Sequence, residues 1–379
     1  MKKVLIITGS FAIGGSRSSM NALLSVIDPR KVQVDVFSRE HVGPLMYKLS
    51  NCTILPENIW LSHRIYKGNA AKKIGCRVLY TLRGLMQKLG IDLFKMYNHI
   101  GGKQIGSDKY DAVIGFDETL PRFVSYIPAQ KRITWLHCDY RRHAHGTDES
   151  KFYDRNDKIV CVSKFAKDTL LEVLPQYEAK TIVIRNAINI EDIIIKSKQV
   201  TPEVESIFRD NDKHIFTLIS IGRLDPVKQF EKIPSIAAEV KRLLADSQKF
   251  QWLIIGGGND AIKSEIEAEI KKYSVSNEVK LLGMQSNPYT YLGLSDLYVC
   301  TSSSETFSYS IHEGLVLKVP FLCNTFPSAS ESVHVGQEGC ILPLSEMPAK
   351  IVELINNPMQ INKSTISNTQ LLEDFYNLI

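Results

Sequence analysis

The sequence lacks the features that mark membrane-spanning and disulfide-rich chains. No run of 18 consecutive apolar residues occurs among its 379 residues, so it offers no candidate for a membrane-spanning helix. Its seven cysteines are scattered, odd in number and never spaced as C-x-x-C. This pattern excludes a disulfide framework and a zinc site of that type, and it predicts reduced thiols in a cytosolic protein. The opening apolar run is only four residues long before Thr8, so we interpret it as a buried first strand.

Low-complexity tracts, repeats and strong composition bias are also absent. Hydrophobic residues make up 44% and charged residues 23% of the chain, which excludes disorder and coiled coil. The length is enough for about two domains, each with its own core.

Charge is distributed unevenly along the chain, although the net charge is only +5. Residues 1–186 carry 29 basic and 17 acidic side chains, a balance of 29 − 17 = +12. The remaining residues carry 46 − 29 = 17 basic and 41 − 17 = 24 acidic side chains, a balance of −7. Halves of opposite sign predict two domains with different partners.

Residues 63–104, here called the basic segment, concentrate positive charge in the first half. They contain nine Lys or Arg residues and one acid, Asp92, with apolar residues at three- and four-residue steps. The pattern predicts a basic amphipathic helix. Two interpretations remain open: a solvated helix packed on its domain, or a surface that lies on an anionic membrane. We do not expect nucleic acid as a partner, because no aromatic stacking set or zinc finger accompanies the charge.

Short β-branched runs alternate with helix-period segments, which is typical of parallel sheets with crossover helices. The sequence therefore predicts an α/β protein with two doubly wound, Rossmann-like domains facing across a cleft. The predicted domains are 1–187 and 188–364, with a polar linker near 187–210 and a helix at about 365–379 that returns to the first domain. The predicted strands are Lys3–Thr8, Val32–Phe37, Ala112–Phe116, Arg132–Leu136, Lys158–Val162 and Thr181–Arg185 in the first half, and His214–Gly222, Gln251–Gly256, Val279–Leu282, Leu297–Cys300, Val319–Cys323 and Cys340–Leu342 in the second.

A glycine-rich turn, residues 9–16, follows the first predicted strand and precedes a helix. Its spacing imitates a phosphate-binding P-loop, but Gly15 occupies the position of the lysine. ATP hydrolysis is therefore disfavoured, while backbone N–H groups near Gly14 and Ser16 can still face an anion. A second glycine turn, residues 255–260, follows a strand but lacks the G-x-G-x-x-G spacing of dinucleotide-binding loops. It is therefore only a weak signal for nucleotide binding, and a tight turn before a helix is the alternative explanation.

Two cations and two carboxylates follow strands of the second half. We predict that Arg223 and Lys228 lie together at a strand's carboxyl edge, where they suit a diphosphate. Glu305 and Glu313 are eight residues apart, the second about two helical turns beyond the first. We expect the backbone N–H groups of the intervening helix start to face an anion. Those groups belong to Thr306, Phe307 and Ser308. The alternative interpretation of the two cations is that they are ordinary surface charges at a loop. The alternative for the two glutamates is that their spacing is incidental.

Together these motifs resemble the retaining, GT-B fold glycosyltransferases of family 4, over most of the chain. The Gly-Gly loop, the Arg223–Lys228 pair and the Glu305–Glu313 pair occur in the family's order. The segment 287–289 is similar to the subgroup that builds bacterial surface polysaccharides. Further segments similar to family landmarks are 135–139, 160–163, 184–189, 279–283, 295–298 and 327–331.

The resemblance implies a role for each matching residue. Arg223 and Lys228 would neutralise the donor diphosphate without a metal, and Glu313 would accept hydrogen bonds from the ribose. Glu305 would hold hydroxyls of the transferred sugar. Gly14, Gly15 and Gly283 would complete donor binding, His137 would contact the sugar near the reacting carbon, and Asp139 and Ser16 would lie on the acceptor side. A satisfied core histidine is the alternative for His137. The sequence departs from the family at Thr306 and Ser308, so the donor sugar is not predicted.

The activity implied by the resemblance is transfer of a sugar from a nucleotide diphosphate, expected to be UDP, to a glycan acceptor. We expect a lipid-linked acceptor such as an undecaprenyl-linked glycan, retention of anomeric configuration, and a place in capsule, O-antigen or exopolysaccharide synthesis. No cofactor or metal is expected, and the protein would be cytoplasmic and peripherally membrane-associated. A non-catalytic or epimerase-type GT-B protein that binds nucleotide sugars is the alternative.

Overall fold

The structure of the chain is a computed structural model that divides into two compact units. Unit 1 comprises Met1–Ala187 and Asn368–Ile379, and unit 2 comprises Ile188–Ser367. The structure describes residues 1–12, 14–58, 78, 81, 85, 88–89, 93–106, 110–143, 150–210, 213–245, 248–331, 333 and 335–379.

Unit 1 is built on a parallel sheet of seven strands. The central strands are continuous apolar runs buried on both faces, as expected where crossover helices cover a parallel sheet. The spatial order is β3-β2-β1-β4-β5-β6-β7. Strands β1 to β3 are added toward one edge of the sheet and β4 to β7 toward the other, so the strand order reverses between β1 and β4. The strands are β1 (Lys2–Ser10), β2 (Val32–Glu40), β3 (Thr53–Ile54), β4 (Ala112–Gly115), β5 (Lys131–Leu136), β6 (Lys158–Cys161) and β7 (Thr181–Val183).

The helices of unit 1 include the last helix of the chain, which packs on residues of the first half. The ring centroids of Phe375 and Trp135 are 6.4 Å apart, and the backbone N–H of Asp28 donates to the Tyr376 hydroxyl at 2.8 Å. The described helices are α1 (Gly15–Val26), α2 (Leu93–Gly106), α3 (Pro121–Val124), α4 (Tyr140–His143), α5 (Ser150–Tyr153), α6 (Lys164–Val173) and, from the C-terminal segment, α14 (Thr369–Leu378).

Unit 2 repeats the doubly wound plan with six parallel strands in the order β12-β11-β10-β13-β14-β15. Alternate residues of β11 face opposite sides: Trp252 and Ile254 join one core cluster, and Leu253 and Ile255 join the other. A short antiparallel pair precedes the sheet. The strands are β8 (Arg209–Asp210), β9 (Lys213–His214), β10 (Phe216–Ile221), β11 (Phe250–Ile255), β12 (Val279–Gly283), β13 (Leu297–Cys300), β14 (Phe321–Cys323) and β15 (Gly339–Ile341).

The helices of unit 2 cover both faces of this sheet, and two 3-10 turns, Pro226–Lys228 and Phe230–Lys232, lie between β10 and the next α-helix. The described helices are α7 (Ile190–Ser197), α8 (Pro202–Ile207), α9 (Ile233–Leu243), α10 (Asp260–Lys272), α11 (Pro288–Leu294), α12 (Tyr309–Val316) and α13 (Met347–Asn356).

The predicted linker near 187–210 is wrong, because this segment forms α7 and α8. Each helix has a side-chain cap: Asn189 accepts from the N–H of Asp192, and Thr201 accepts from the N–H of Val204. Ile193 of α7 is buried in an apolar cluster of unit 2. The polar residues of this segment are therefore explained by the solvated faces of α7 and α8.

The first α-helix after β10 is α9, which begins only at Ile233, five residues after Lys228. Gln229 adopts a left-handed conformation, with φ of 52°, which separates the two 3-10 turns and prevents a continuous helix. This irregular stretch places Lys228 in a turn.

Most of the basic segment lies outside the described residues, so its predicted amphipathic helix stays a prediction. Within the described part, Leu85 and Leu89 are 60% and 70% exposed. Among the described residues, no helix is long and apolar enough to cross a membrane.

Candidate active site

The candidate site of unit 2 is centred on an ion pair between Lys228 and Glu305. The Lys228 Nζ lies 2.6 Å from the Glu305 Oε1, and the hydroxyl of Ser302 donates to the same oxygen at 2.7 Å. The side chains of Lys228 and Glu305 are only 22% and 14% exposed. Lys228 follows β10 and Glu305 follows β13, which are neighbours at the point where the strand order reverses. Ligands of doubly wound sheets bind at this point.

The turn that carries Lys228 is fixed by local hydrogen bonds. The Asp225 carboxylate accepts from the N–H of Val227 at 3.1 Å, and the Thr301 hydroxyl donates to the carbonyl of Lys228 at 2.7 Å. Gly222 leaves room for the lysine, since a Cβ there would lie 3.1 Å from the Lys228 Cε. The aliphatic part of Lys228 thus lies over the end of β10, and its ammonium group is directed to Glu305.

Burial is the largest single influence on the pKa of Lys228 and acts to lower it. The charge of Glu305, the hydrogen bond to Glu305 and the charge of Cys300 together raise it by more, so the pKa lies above its ordinary value. Lys228 therefore remains charged at neutral pH. A partly buried ammonium held in one place can stabilise negative charge on a ligand.

Arg223 also follows β10, but its environment differs from that of Lys228. Its side chain is 75% exposed, and its guanidinium lies 3.7 Å from the Asp225 carboxylate. The charge of Arg223 acts to lower the pKa of Lys228, so the two cations share one edge of the sheet. The structure thus places Lys228 in a short, partly buried ion pair and leaves Arg223 largely exposed to solvent, with a longer contact to Asp225.

Glu313 lies on α12 and is half-buried. The hydroxyl of Tyr289, on α11, donates to its Oε1 at 3.0 Å. Burial raises the pKa of the Glu313 carboxyl to about 7, although Tyr289 and the charge of Lys228 oppose the shift. Near neutral pH this group can therefore exchange a proton as well as accept hydrogen bonds.

The helix start expected at Thr306–Ser308 lies further along the chain. Helix α12 begins at Tyr309, and Ser308 is an extended N-cap residue. The Phe307 ring stacks on His312 with centroids 4.2 Å apart, and the His312 Nδ1 lies 2.7 Å from the Ser308 carbonyl oxygen. This packing keeps the residues 306–308 in a turn in front of the helix, so they precede its first turn.

Gly283 ends β12 with φ of 68°, a left-handed conformation that favours glycine. Its carbonyl accepts from the N–H of Gly256 at 2.9 Å, and a Cβ at Gly283 would meet no atom within 4 Å. The open space beside Gly283 leaves room for a ligand at the end of β12.

In unit 1, the predicted glycine loop leads directly into α1. Gly15 is the first residue of the helix and Ser16 the second, and Gly14 is an N-cap residue without a side-chain cap. A Cβ at Gly15 would meet no atom within 4 Å. The protein itself therefore leaves space at this position.

His137 follows β5, and its ring packs on Phe116 with centroids 5.0 Å apart. Burial and the nearby charge of Arg17 lower the pKa of His137 to about 3, so its imidazole is neutral. The Asp139 carboxylate accepts two hydrogen bonds of 2.9 Å from Arg141, which holds the pKa of Asp139 below its ordinary value. An acceptor that uses Asp139 must therefore share it with Arg141.

Sequence reasoning missed the partners Ser302 and Arg17. A serine three residues before Glu305 is a weak signal by itself, and Arg17 stands in a helix start in which only the glycines form a recognisable pattern. Among the described residues, no group of three or more His, Cys, Asp or Glu side chains is arranged to hold a metal ion.

Comparison with protein families finds that residues 203–370 match the model described as glycosyl transferases group 1. The match covers less than half of the chain and includes the Lys228–Glu305 pair and Glu313. An uncharacterized glycosyltransferase of Methanocaldococcus jannaschii is 30% identical over 181 residues, which cover 46% of this chain and 42% of the relative. The family match and the relative's name support a glycosyltransferase.

A second relative is named as an N-acetylgalactosamine-N,N'-diacetylbacillosaminyl-diphospho-undecaprenol 4-alpha-N-acetylgalactosaminyltransferase, from Campylobacter jejuni. It is 28% identical over 189 residues, which cover 50% of this chain and 47% of the relative. The chain thus spans about half the length of the curated relatives it matches.

Solved structures match all or nearly all of the chain. HepE of Anabaena, solved with UDP and glucose, is 17% identical, with a TM-score of 0.64 and coverage of 94% of this chain and 90% of its own. A mutant of S. aureus TarM, solved with fondaparinux, alpha-GlcNAc-glycerol and UDP, is 14% identical, with a TM-score of 0.69 and coverage of 100% and 99%. At these identities the likeness shows the fold alone, and the predicted GT-B fold is confirmed.

Proposed function

We propose that the chain is a glycosyltransferase that moves a sugar from a UDP-sugar to a glycan acceptor, with retention of anomeric configuration and without a metal. The observation that carries this proposal is the partly buried Lys228–Glu305 pair at the strand-order reversal of unit 2, within the segment matched by group 1 glycosyl transferases. Nucleotide sugars have a diphosphate, a ribose and a hexose, and unit 2 offers groups suited to each.

Lys228 is suited to the diphosphate. As the bond between the anomeric carbon and the diphosphate oxygen breaks, negative charge grows on the leaving group. A fixed ammonium stabilises that charge, and solvent-exposed Arg223 adds a second cation at the same edge. The acceptor hydroxyl oxygen then replaces the diphosphate on the sugar, and its proton is released.

Glu305 and Glu313 are suited to hydroxyl groups. One oxygen of Glu305 already accepts from Lys228 and Ser302, which fixes the carboxylate and leaves its other oxygen for a sugar hydroxyl. The ionised carboxylate of Glu313 would accept hydrogen bonds from the ribose hydroxyls, and the hydrogen bond from Tyr289 would hold this carboxylate in its orientation. Gly283 and the turn at Thr306, Phe307 and Ser308 would border the donor.

Unit 1 would supply the acceptor side. Gly14 and Gly15 would approach the diphosphate, and Ser16 would lie near the acceptor. The neutral imidazole of His137 would contact the sugar. We further propose a lipid-linked acceptor, because one relative's name specifies a diphospho-undecaprenol substrate. The basic segment would then hold the protein at an anionic membrane, for synthesis of a bacterial surface polysaccharide.

The experiment is a screen of nucleotide sugars, with thermal shift for binding and release of the nucleoside diphosphate for turnover. We expect a UDP-sugar to bind, and Lys228→Ala to lower turnover by at least about tenfold, because removing one partner of a desolvated charge pair costs about 2–5 kcal/mol. Lys272→Ala is the matched control, since this exposed lysine pairs with Glu269 on α10.

The same screen separates the alternatives. A protein that binds the donor but never releases nucleoside diphosphate, with or without acceptors, would be a binding protein. Conversion of the donor to its epimer would indicate an epimerase. Full activity of Lys228→Ala would remove the role assigned to the ion pair.

A further inference from the structure

Arg17 is a partly buried cation in unit 1 that its protein neighbours do not satisfy. Its side chain is 29% exposed, and its Nε is buried without a hydrogen-bond acceptor among the described residues. The Asp117 carboxylate lies 3.7 Å from the guanidinium, which is beyond hydrogen-bond distance. A buried donor without an acceptor is unfavourable, so the Nε of Arg17 is a place where an oxygen of a ligand or of a water molecule would be stabilised.

The Asp117 carboxylate makes its hydrogen bonds to Thr119 and not to Arg17. Its Oδ1 accepts from the backbone N–H of Thr119 at 2.9 Å and from the Thr119 hydroxyl at 2.5 Å. These bonds orient the carboxylate along its own loop after β4. Asp117 thus balances part of the charge of Arg17 without engaging its planar array of donors.

The position of Arg17 within unit 1 is the one at which a doubly wound sheet binds ligands. Arg17 follows β1 and Asp117 follows β4, and the strand order reverses between these two strands. The guanidinium lies across the turn between β1 and α1: a Cβ at Gly9 would be 3.2 Å from its NH2, and a Cβ at Gly14 would be 3.6 Å from its NH1. Glycine at both positions gives the guanidinium room.

The surroundings favour an anion. The first turn of α1 has no acidic residue, and Gly14 provides no side-chain cap. The neighbouring imidazole of His137 is neutral, so Arg17 carries the positive charge at this place. A guanidinium presents several N–H donors in one plane, which matches the oxygens of a phosphate group.

We propose that Arg17 is an anion-binding residue of unit 1 and that its ligand is a phosphate or diphosphate ester of a substrate. The identity of that ester rests on the proposed function. It has two possible sources, the diphosphate of the donor and a phosphate carried by the acceptor. Asp117 then acts as a nearby counter-charge with which the ligand competes for the guanidinium.

The experiment uses the full chain and three variants, Arg17→Gln, Arg17→Lys and Asp117→Asn. Binding of UDP and of inorganic diphosphate is measured by calorimetry. KM is measured for the donor and for two acceptors, one sugar linked to a short prenyl diphosphate and the same sugar on a phosphate-free alkyl chain. Arg30→Gln is the matched control, because Arg30 is an exposed arginine of unit 1 that pairs with Asp28.

We expect Arg17→Gln to weaken one phosphate ester by about tenfold or more, with Arg17→Lys intermediate. If the donor is the source, affinity for UDP and diphosphate falls and the donor KM rises with both acceptors. If the acceptor is the source, only the KM of the prenyl diphosphate acceptor rises, to that of its phosphate-free analogue. Asp117→Asn should strengthen binding of the same ester, because it removes the competing carboxylate, and Arg30→Gln should change nothing.

A structural ion pair predicts a different pattern. In that case Arg17→Gln and Asp117→Asn would both lower the melting temperature and leave every affinity and KM unchanged, which would overturn the proposal. Should Arg17→Gln fail to fold, the opposite effects expected of Arg17→Lys and Asp117→Asn on affinity decide the question. Absence of donor binding in the wild-type chain would instead refute the proposed function.

Discussion

The raised pKa of Glu313 makes a quantitative prediction about stability. The carboxyl pKa is raised to about 7 from the ordinary value of 4.5, and burial is the main cause. The proton is therefore bound more tightly in the folded state than in the unfolded chain. At about 1.4 kcal/mol per unit, a shift of 7 − 4.5 = 2.5 units corresponds to about 3 kcal/mol.

The sign follows from linkage between protonation and folding. The stabilisation by the neutral carboxyl is fully present below pH 4.5 and is lost as the pH rises through 7. Glu313→Gln keeps a neutral group of similar shape at every pH. Relative to the wild-type chain, the variant should gain up to about 3 kcal/mol in free energy of unfolding between pH 4.5 and pH 8.

The assay is urea unfolding of both proteins at several pH values between 4.5 and 8, with the free energy of unfolding followed by tryptophan fluorescence. Glu267→Gln is the control, since Glu267 is a half-exposed glutamate on α10. A stability difference between wild type and Glu313→Gln that is the same at pH 5 and pH 8 would refute the reasoning. A ligand that hydrogen-bonds the ionised carboxylate should bind wild type more tightly above pH 7, and Glu313→Gln should lose this pH dependence.

Four further predictions concern the proposed reaction. Arg223→Ala should lower turnover by about tenfold without changing the melting temperature, because its side chain is exposed; equal turnover would remove it from the site. Transfer should continue in excess EDTA, since Lys228 is the proposed charge stabiliser; a loss restored only by Mn²⁺ or Mg²⁺ contradicts this. The product should retain the anomeric configuration by NMR, and an inverted product would exclude a retaining mechanism. Changing Lys72, Lys73 and Arg77 to Glu should weaken pelleting with anionic vesicles at low salt, and unchanged pelleting would leave the basic segment without a membrane role.

The strand pattern made the fold predictable to a large extent. Continuous apolar runs such as Trp252–Ile255 are buried on both faces of a parallel sheet, and such runs identify strands without any tertiary information. The two-residue strand Thr53–Ile54 was missed because it is too short to show a period. The segment 189–207 was misinterpreted because its helices expose most of their polar residues, although Asn189 and Thr201 mark both helix starts.

The candidate site was predictable in residue type and less so in geometry. Lys228 and Glu305 could be named from the sequence, but their direct contact could not, because 77 residues separate them. The position of Thr306, Phe307 and Ser308 ahead of α12 depends on a ring stacked on His312, which is a packing effect. Arg17 lacked any motif and was identified only by its buried Nε, which has no acceptor among the described residues.

The return of α14 to unit 1 has a consequence for the order of events during synthesis. The buried ring of Phe375 packs against Trp135, so unit 1 cannot complete its core when Ala187 leaves the ribosome. Residues 188–368 must be made first, which takes roughly 9–36 seconds at about 5–20 residues per second. During that interval the surface that later receives α14 is exposed to solvent and to chaperones. Unit 2, which is contiguous in sequence, can fold before unit 1 is finished.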